Sequence, residues 1–247
     1  MSHINIKSLS IKFRTYNDKA PSLKAYFASL FKKSSQKSFA DFLAVNNVSF
    51  EIRAGDRIGI IGKNGAGKST LLKALCRVYE PSAGYIEVSG RIAPLLEIGA
   101  GFHPEFTGRE NIYLNGSILG YSKNQLDAIE DEVISFAEVA DFIDAPVKYY
   151  STGMYMRLAF SLATAMHPDI LVLDEIFAGG DAGFMAKARK RMTHLIDKAN
   201  IMIMVSHDHE LVQSLCNRVI WMDHGVILAD GKPDDIIRRY LGGTDNE

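Results

Sequence analysis

Only two cysteines, Cys76 and Cys216, occur among the 247 residues. They stand far apart, match no metal-ligand spacing and fall in apolar helical patterns. A disulfide framework is thereby excluded, and reduced core thiols of a cytosolic protein are expected. No uninterrupted apolar run approaches the roughly 18–20 residues that a membrane-spanning helix needs. The N-terminal MSHINIKSLSIKF passes straight into strand-like alternation, with no apolar secretion segment. Charge of one sign is missing too. The formal net charge of -1 offers no general attraction for nucleic acid or anionic lipid. Repeats and low-complexity tracts are absent. What remains is a chain that is 47% hydrophobic, enough for one large core or a core with a helical appendage. For such a chain to work at a membrane, another molecule must anchor it.

The stretch Gly62 to Thr70 reads GKNGAGKST. Gly62, Gly67, Lys68 and Ser69 fill the phosphate-binding loop pattern of Gly, four residues, then Gly-Lys-Ser/Thr. Lys63, Asn64, Gly65 and Ala66 lie between, where successive backbone N–H groups turn inward around phosphate oxygens. A short apolar run, Ile58 to Ile61, precedes the loop as a buried strand. Leu71, Leu72, Leu75, Cys76 and Tyr79 follow at helical spacing. The helix N-terminus adds its partial positive charge. Lys68 can reach the terminal phosphates, and the Ser69 hydroxyl can ligate magnesium. A bare glycine-rich turn between strand and helix would need none of these fixed positions, so a nucleoside triphosphate is the implied ligand.

Around this loop the pattern alternates between strand and helix. Ile4, Ile6, Leu9, Ile11 and Phe13 predict a strand with a bend near Ser8. Residues 14–41 then turn polar and basic, with a short helix starting at Pro21 that carries Leu23, Phe27, Leu30 and Phe31 on one face. Two readings fit this insert: a patch for a membrane surface or membrane-embedded partner, or a helix packed on its own domain. Val48, Phe50 and Ile52 alternate as a half-exposed strand, and Tyr85 to Val88 form another. From Ile98 to Tyr149 the reading is mostly helical. Thr107 with Glu110 is a capping box opening one helix, which Gly120 closes, and Ser122 with Gln125 opens a second.

The second half returns to α/β alternation. A helix is expected over Ser151 to Met166, buried strands over Ile170 to Leu173 and Ile201 to Val205, and a helix between them over Ala182 to Ala199. Asp208 to Cys216 is helical. Arg218 to Met222 and Val226 to Ala229 make a hairpin about Asp223-His224-Gly225, and Pro233 opens a last helix ending near Gly242. The fold class is α/β: a phosphate-loop type, mostly parallel sheet, with an antiparallel β part and an inserted helical subdomain over about 98–165. All 247 residues read as one nucleotide-binding domain, with the basic insert as its one irregularity.

Two further groups of residues carry chemistry. The run Ile170 to Leu173 delivers Asp174 and Glu175 to a strand's C-terminal edge, where Asp174 can hold magnesium and Glu175 can polarise an attacking water. His207 follows the next such strand, placed to hydrogen-bond a terminal phosphate oxygen. Ser151, Thr152, Gly153 and Met154 open a helix. They present a second anion site through backbone N–H groups and the serine hydroxyl, although an isolated Ser-Thr-Gly is more often a simple helix cap.

The order GKNGAGKST, YSTGM, ILVLDE and VSHD resembles the ATP-binding cassette of ABC transporters, over the whole chain with residues 14–41 standing apart. In that family YSTGM corresponds to the signature motif, usually LSGGQ. The resemblance implies ATP with Mg2+ and a homodimer in which Ser151 and Gly153 face the ATP held by the other subunit. Asp181, in AGGD, resembles the loop that communicates between the two sites, though it departs from the usual SALD. An aromatic ring should stack on adenine: Phe13 first by resemblance and Tyr16 next, with Phe39 and Phe42 also open.

LLEIGAGFHPEFTGRENIYLNGSILG and KYYSTGMYMRLAFS look like the ATPase subunits that export bacterial O antigen, capsule or teichoic acid. Glu97 stands where most cassettes place a magnesium-contacting glutamine, as the polysaccharide branch does. The branch implies integral permease subunits as partners, a lipid-linked polysaccharide as cargo, a place on the cytoplasmic face of the membrane, and no nucleic acid. The chain stops shortly after its last helix, so no C-terminal carbohydrate-binding domain is expected. The stretch between Lys68 and Ser151 is too short for the coiled-coil arms of DNA-repair cassettes. Glu175 and His207 together argue against an ATP-binding regulatory scaffold.

Overall fold

The computed structural model describes residues 2–16, 39–96, 98–174 and 182–244. The expected helix at Pro21 lies outside them, as do Glu97, Glu175 and Asp181. Among the described residues no helix is long and apolar enough to cross a membrane.

Among the described residues nine strands form two sheets. β1 (His3–Tyr16), β2 (Phe39–Arg53) and β4 (Ala83–Ser89) make a three-stranded antiparallel sheet in the order β2-β1-β4. The bend expected near Ser8 is there: its φ is 48, and the register of β1 shifts between Ile6 and Leu9. The second sheet contains β3 (Arg57–Ile61), β5 (Ile92–Leu95), β6 (Ile170–Asp174), β7 (Ile201–Val205), β8 (Arg218–Asp223) and β9 (Val226–Gly231). Its order is β5-β6-β7-β3-β8-β9, parallel except for β9.

Seven α-helices complete the described fold: α1 (Lys68–Leu75), α2 (Gly108–Ile118), α3 (Lys123–Ala137), α4 (Thr152–Ala163), α5 (Ala182–Lys198), α6 (His209–Leu215) and α7 (Pro233–Thr244). The parallel strands are near-continuous apolar runs, with Arg57, Asp174, Arg218 and Asp223 only at their ends, because both faces are covered. Ile170 and Val172 pack with β1 and α1, whereas Leu171 and Leu173 pack with α5. β7 divides the same way, with Ile201, Ile203 and Val205 on one side and Met202 and Met204 on the other. Each such side chain contributes roughly 2 kcal/mol by leaving water. A third core, including Ile112, Val133, Leu158 and Leu162, belongs to α2, α3 and α4.

Local chemistry sets the ends of these elements. Both capping boxes form, Thr107 with Glu110 and Ser122 with Gln125. The β8–β9 turn has His224 and Gly225 at φ 42 and 79, a two-residue turn of the hand that suits a twisted hairpin.

Three expectations need correction. The insert is shorter than 14–41, because Arg14, Thr15 and Tyr16 pair with Asp41, Ala40 and Phe39 as strand residues. Charge pairing explains the extra length: Asp41 accepts from Lys12 at 3.0 Å and from Arg14 at 3.3 Å. Tyr79 is not on the loop helix, since α1 stops at Leu75 and Arg77 turns the chain with φ 59. Ile92–Leu95 is a strand the periodicity did not announce. It is short and contains Pro94, which is tolerated because β5 is the sheet's edge.

Candidate nucleotide-binding site

β3 delivers the loop at the centre of the parallel sheet, between β7 and β8. Gly62 turns with φ 149, and a Cβ there would lie 2.1 Å from the carbonyl oxygen of Met222. At Gly67, φ 97, a Cβ would lie 2.2 Å from the carbonyl oxygen of Ala44. Only glycine allows backbone this close. The loop therefore leans on two walls, the end of β8 and the middle of β2. Hydrogen bonds join those walls: Asn46 N–H donates to Gly225 O at 2.8 Å, and Gly225 N–H donates to Ala66 O at 3.0 Å. Lys68 is 6% exposed, and its Nζ donates to Gly62 O at 2.7 Å and Lys63 O at 3.1 Å. The ammonium is thus drawn back over the loop's own carbonyls, at the mouth of α1.

A cavity of about 550 Å3 opens above the loop, lined by Asn64 through Thr70 on one side. Asp174 and His207 line it as well. Topology brings them there: Asp174 pairs with Val205 across β6 and β7, and Val205 pairs with Ile60 across β7 and β3. Three neighbouring parallel strands thus end in register. A carboxylate, an imidazole and a phosphate-binding loop converge at their C-terminal edge.

The donor set fits a hard cation held mainly by substrate. The Ser69 hydroxyl and the Asp174 carboxylate share the cavity, two hard-oxygen donors of the kind Mg2+ takes while keeping waters and phosphate oxygens.

Two aromatic rings reach the cavity. Phe13 lines it while packing edge-on against Tyr79, centroids 5.1 Å apart. Its cross-strand neighbour Phe42 lines it too and is 55% exposed, although sequence reasoning ranked it low. Pairing explains the low rank, because the β1–β2 register that sets the two rings side by side is not visible from spacing. Tyr16 lies three residues farther along β1, opposite Phe39. Leu96, Ala44 and Val205 also line the cavity and were missed as site residues, Leu96 because β5 itself was.

The Ser151–Met154 turn stands elsewhere. Ser151 caps α4, its Oγ accepting from Met154 N–H at 3.2 Å. Ser151, Thr152 and Gly153 are exposed, and a Cβ on Gly153 would meet only Ser151 Oγ, at 3.9 Å. None of the four lines the cavity that holds the phosphate loop. At this exposed end of α4 the first N–H groups lack intrahelical acceptors, Met154 N–H being taken by Ser151 Oγ.

Comparison with known proteins agrees with this arrangement. Residues 45–178 match the sequence profile of the ABC transporter family. The chain is 45% identical over 197 residues to the O-antigen export system ATP-binding protein RfbB of Myxococcus xanthus, covering 80% of this chain and 45% of that protein. It therefore spans about half the length of that relative. It is 39% identical over 234 residues to the O-antigen export system ATP-binding protein RfbE of Yersinia enterocolitica, covering 93% and 98% of the two chains. A dimeric post-hydrolysis state of an ATP-binding cassette bound to ADP and Pi superposes with a TM-score of 0.65 at 19% identity, over 93% of this chain and 98% of that one, a likeness of fold. With a phosphate loop and strand-end Asp174 and His207 in one cavity, and a family match that takes in the loop and Asp174, the chain belongs to the ABC transporter family.

Proposed function

We propose that this chain is the ATP-hydrolysing motor subunit of an exporter that moves a lipid-linked surface polysaccharide, of the O-antigen class, across the cytoplasmic membrane. One observation carries the reading: Lys68, Ser69, Asp174 and His207 share a cavity, while the exposed Ser151–Gly153 turn lies outside it. Beyond capping α4, the resemblance to ABC cassettes gives such a turn a role at a second subunit's nucleotide. Two copies therefore pair head to tail and enclose two ATP molecules, each between one chain's loop and the other's turn.

In this mechanism the loop N–H groups and Lys68 bind the triphosphate, and Ser69 and Asp174 would hold Mg2+. When bound, the cation neutralises charge on the phosphate oxygens. Glu175 takes the proton of the attacking water, His207 keeps that water in line, and Glu97 adds a carboxylate beside the metal. Phe13 and Phe42 bound the adenine subsite, with Tyr16 beyond them. The N-terminal end of α4 stabilises charge on the partner's terminal phosphate, and Asp181 links the two sites. Residues 97–120 pass the movement to two integral permease subunits, which hold the chain at the cytoplasmic face. The names of the O-antigen relatives support the cargo assignment.

Phosphate release by the purified chain, alone and with its co-purified permease, tests the reading. Turnover is expected to rise with the permease, and Glu175→Gln to trap an ATP-bound dimer. Normal turnover by that variant would remove Glu175 from the base role, and unchanged basal and coupled turnover in Glu97→Gln would show that the Glu97 charge does not tune the site. Mass analysis of lipid retained on the complex identifies the glycan.

A further inference from the structure

Three helices meet at a triangle of phenylalanines, Phe136 on α3, Phe160 on α4 and Phe184 on α5. Ring centroids are 6.2 Å apart for Phe136–Phe160 and 5.7 Å for each of the other two pairs. Two cations of α5 lie over Phe136, the Arg191 guanidinium at 4.2 Å and Lys187 Nζ at 5.2 Å from its centroid. Arg191 also pairs with Glu132 of α3.

Beside this triangle a single carboxylate joins all three helices. Glu138 is the C-cap of α3. Its Oε1 accepts from Lys187 Nζ of α5 at 2.5 Å, and its Oε2 lies 3.6 Å from Arg157 Nη1 of α4. The backbone of Glu138 is left-handed, with φ 57 and ψ 44. Directly after a helix, that conformation is the one glycine adopts without strain and a β-carbon resists. A strained residue stands where an unstrained one would fit, and the strain retains a carboxylate.

The two helices it clamps lead to the two halves of the composite site. α4 begins at the Ser151–Gly153 turn, and α5 begins at Ala182, next in sequence after Asp181. We propose that Glu138 is a positioning residue: its bridges to Arg157 and Lys187 make α4, which begins at the partner-facing turn, and α5 move as one unit when ATP closes two subunits. The inference rests on the reading of that turn as acting in trans.

Glu138→Gly separates positioning from support, because it removes the carboxylate and relieves the backbone together. It is expected to melt within ~3 °C of the wild type. Fluorescent ATP analogue binding by the isolated chain is expected to stay within about twofold of wild type. ATP-driven dimerisation in the Glu175→Gln background, by contrast, should need on the order of tenfold more protein, and in the chain that keeps Glu175 the Hill coefficient of turnover should fall toward about 1. Lys187→Met, which leaves the backbone alone, should show the same dimerisation defect, and Glu138→Gln, which keeps an acceptor for Lys187, a smaller one.

Dimerisation and turnover at wild-type level in Glu138→Gly overturn the proposal. So does a melting point lower by about 8 °C or more, which would make Glu138 a structural residue. If the Glu175→Gln chain itself stays monomeric with ATP, the trans reading fails first and takes this inference with it, before Glu138 is changed.

Discussion

The hydroxyl of Tyr155 donates a 2.8 Å hydrogen bond to the carbonyl of Gly99. Tyr155 lies in the first turn of α4, and Gly99 follows Leu96, which lines the nucleotide cavity. At φ 88, Gly99 leaves room for the ring that a Cβ would approach to 2.8 Å. Burial pushes the Tyr155 hydroxyl up from its ordinary pKa, so it remains a donor at neutral pH. Within one chain, the loop beside the cavity is therefore tied to the helix that carries the exposed Ser151–Gly153 turn. Tyr155→Phe keeps the ring and loses the bond. It is expected to cost about 1 kcal/mol of stability in denaturant unfolding. ATP binding should be unchanged, and permease-stimulated turnover should fall more than basal turnover.

The loop glycines separate by what stands behind them. Gly62→Ala drives a Cβ into the Met222 carbonyl and should destabilise by roughly 2–4 kcal/mol while abolishing ATP binding. At Gly65, φ 81, a Cβ would meet nothing within 4 Å. Gly65→Ala should therefore cost only the backbone strain, about 1 kcal/mol, with binding weakened rather than lost. Thermal unfolding with and without ATP distinguishes the two.

Asn111 is fully buried and organises the loop before α2. Its Oδ1 accepts from His103 N–H at 2.6 Å, and its Nδ2 donates to the carbonyls of His103, Phe106 and Thr107 at 3.1, 3.1 and 2.9 Å. Asn111→Ala strands those groups and is expected to cost about 2–4 kcal/mol in chemical unfolding. A loss below about 0.5 kcal/mol would show that water replaces the amide.

Glu110 titrates within its capping box. The Thr107 backbone N–H donates to it at 2.8 Å and the Thr107 hydroxyl at 3.0 Å, in that order of influence holding the carboxyl below its usual range. A depressed folded-state pKa means stability present above the unfolded value, about 4.3, and lost as pH falls through the lower folded value. Glu110→Gln, which keeps an acceptor in the box, should lose less stability than wild type as the pH is lowered from about 5 to about 3. Parallel acid titrations by circular dichroism measure this.

Both thiols are pushed up to about 12 by burial. Their neutral form is the one the fold accommodates, so this contribution is full below the ordinary thiol pKa of about 8.5 and lost as pH rises toward the folded value. Iodoacetamide at pH 8 should label neither cysteine in the native chain, with Cys216 slower than half-buried Cys76 and both labelled in urea.

Much of this was legible in the sequence because it is local. Alternation, apolar runs and caps depend on residues a few positions apart. Hence β6 and β7 end where expected, and Thr107, Ser122 and Ser151 cap the helices assigned to them. The phosphate loop and the strand-end Asp174 and His207 also announce themselves, since both follow short apolar runs. What escaped is set by pairing at long range. The β1–β2 register that places Phe42 beside Phe13 depends on Lys12, Arg14 and Asp41 meeting across two strands. β5 owes its existence to the exposed edge of β6 rather than to its own four residues. No spacing rule reveals that Gly62 must clear Met222, or that Glu138 spans three helices.

The wall behind the phosphate loop has a consequence for how the chain matures. β3 has β7 and β8 as its flanking strands, and Gly225 braces Ala66 from the far end of the sequence. A nascent chain that has just exposed GKNGAGKST owns every residue of the motif and none of its support. Competence to hold a triphosphate therefore switches on late in synthesis, when the β8–β9 hairpin emerges from the ribosome and the whole sheet closes around its central strand.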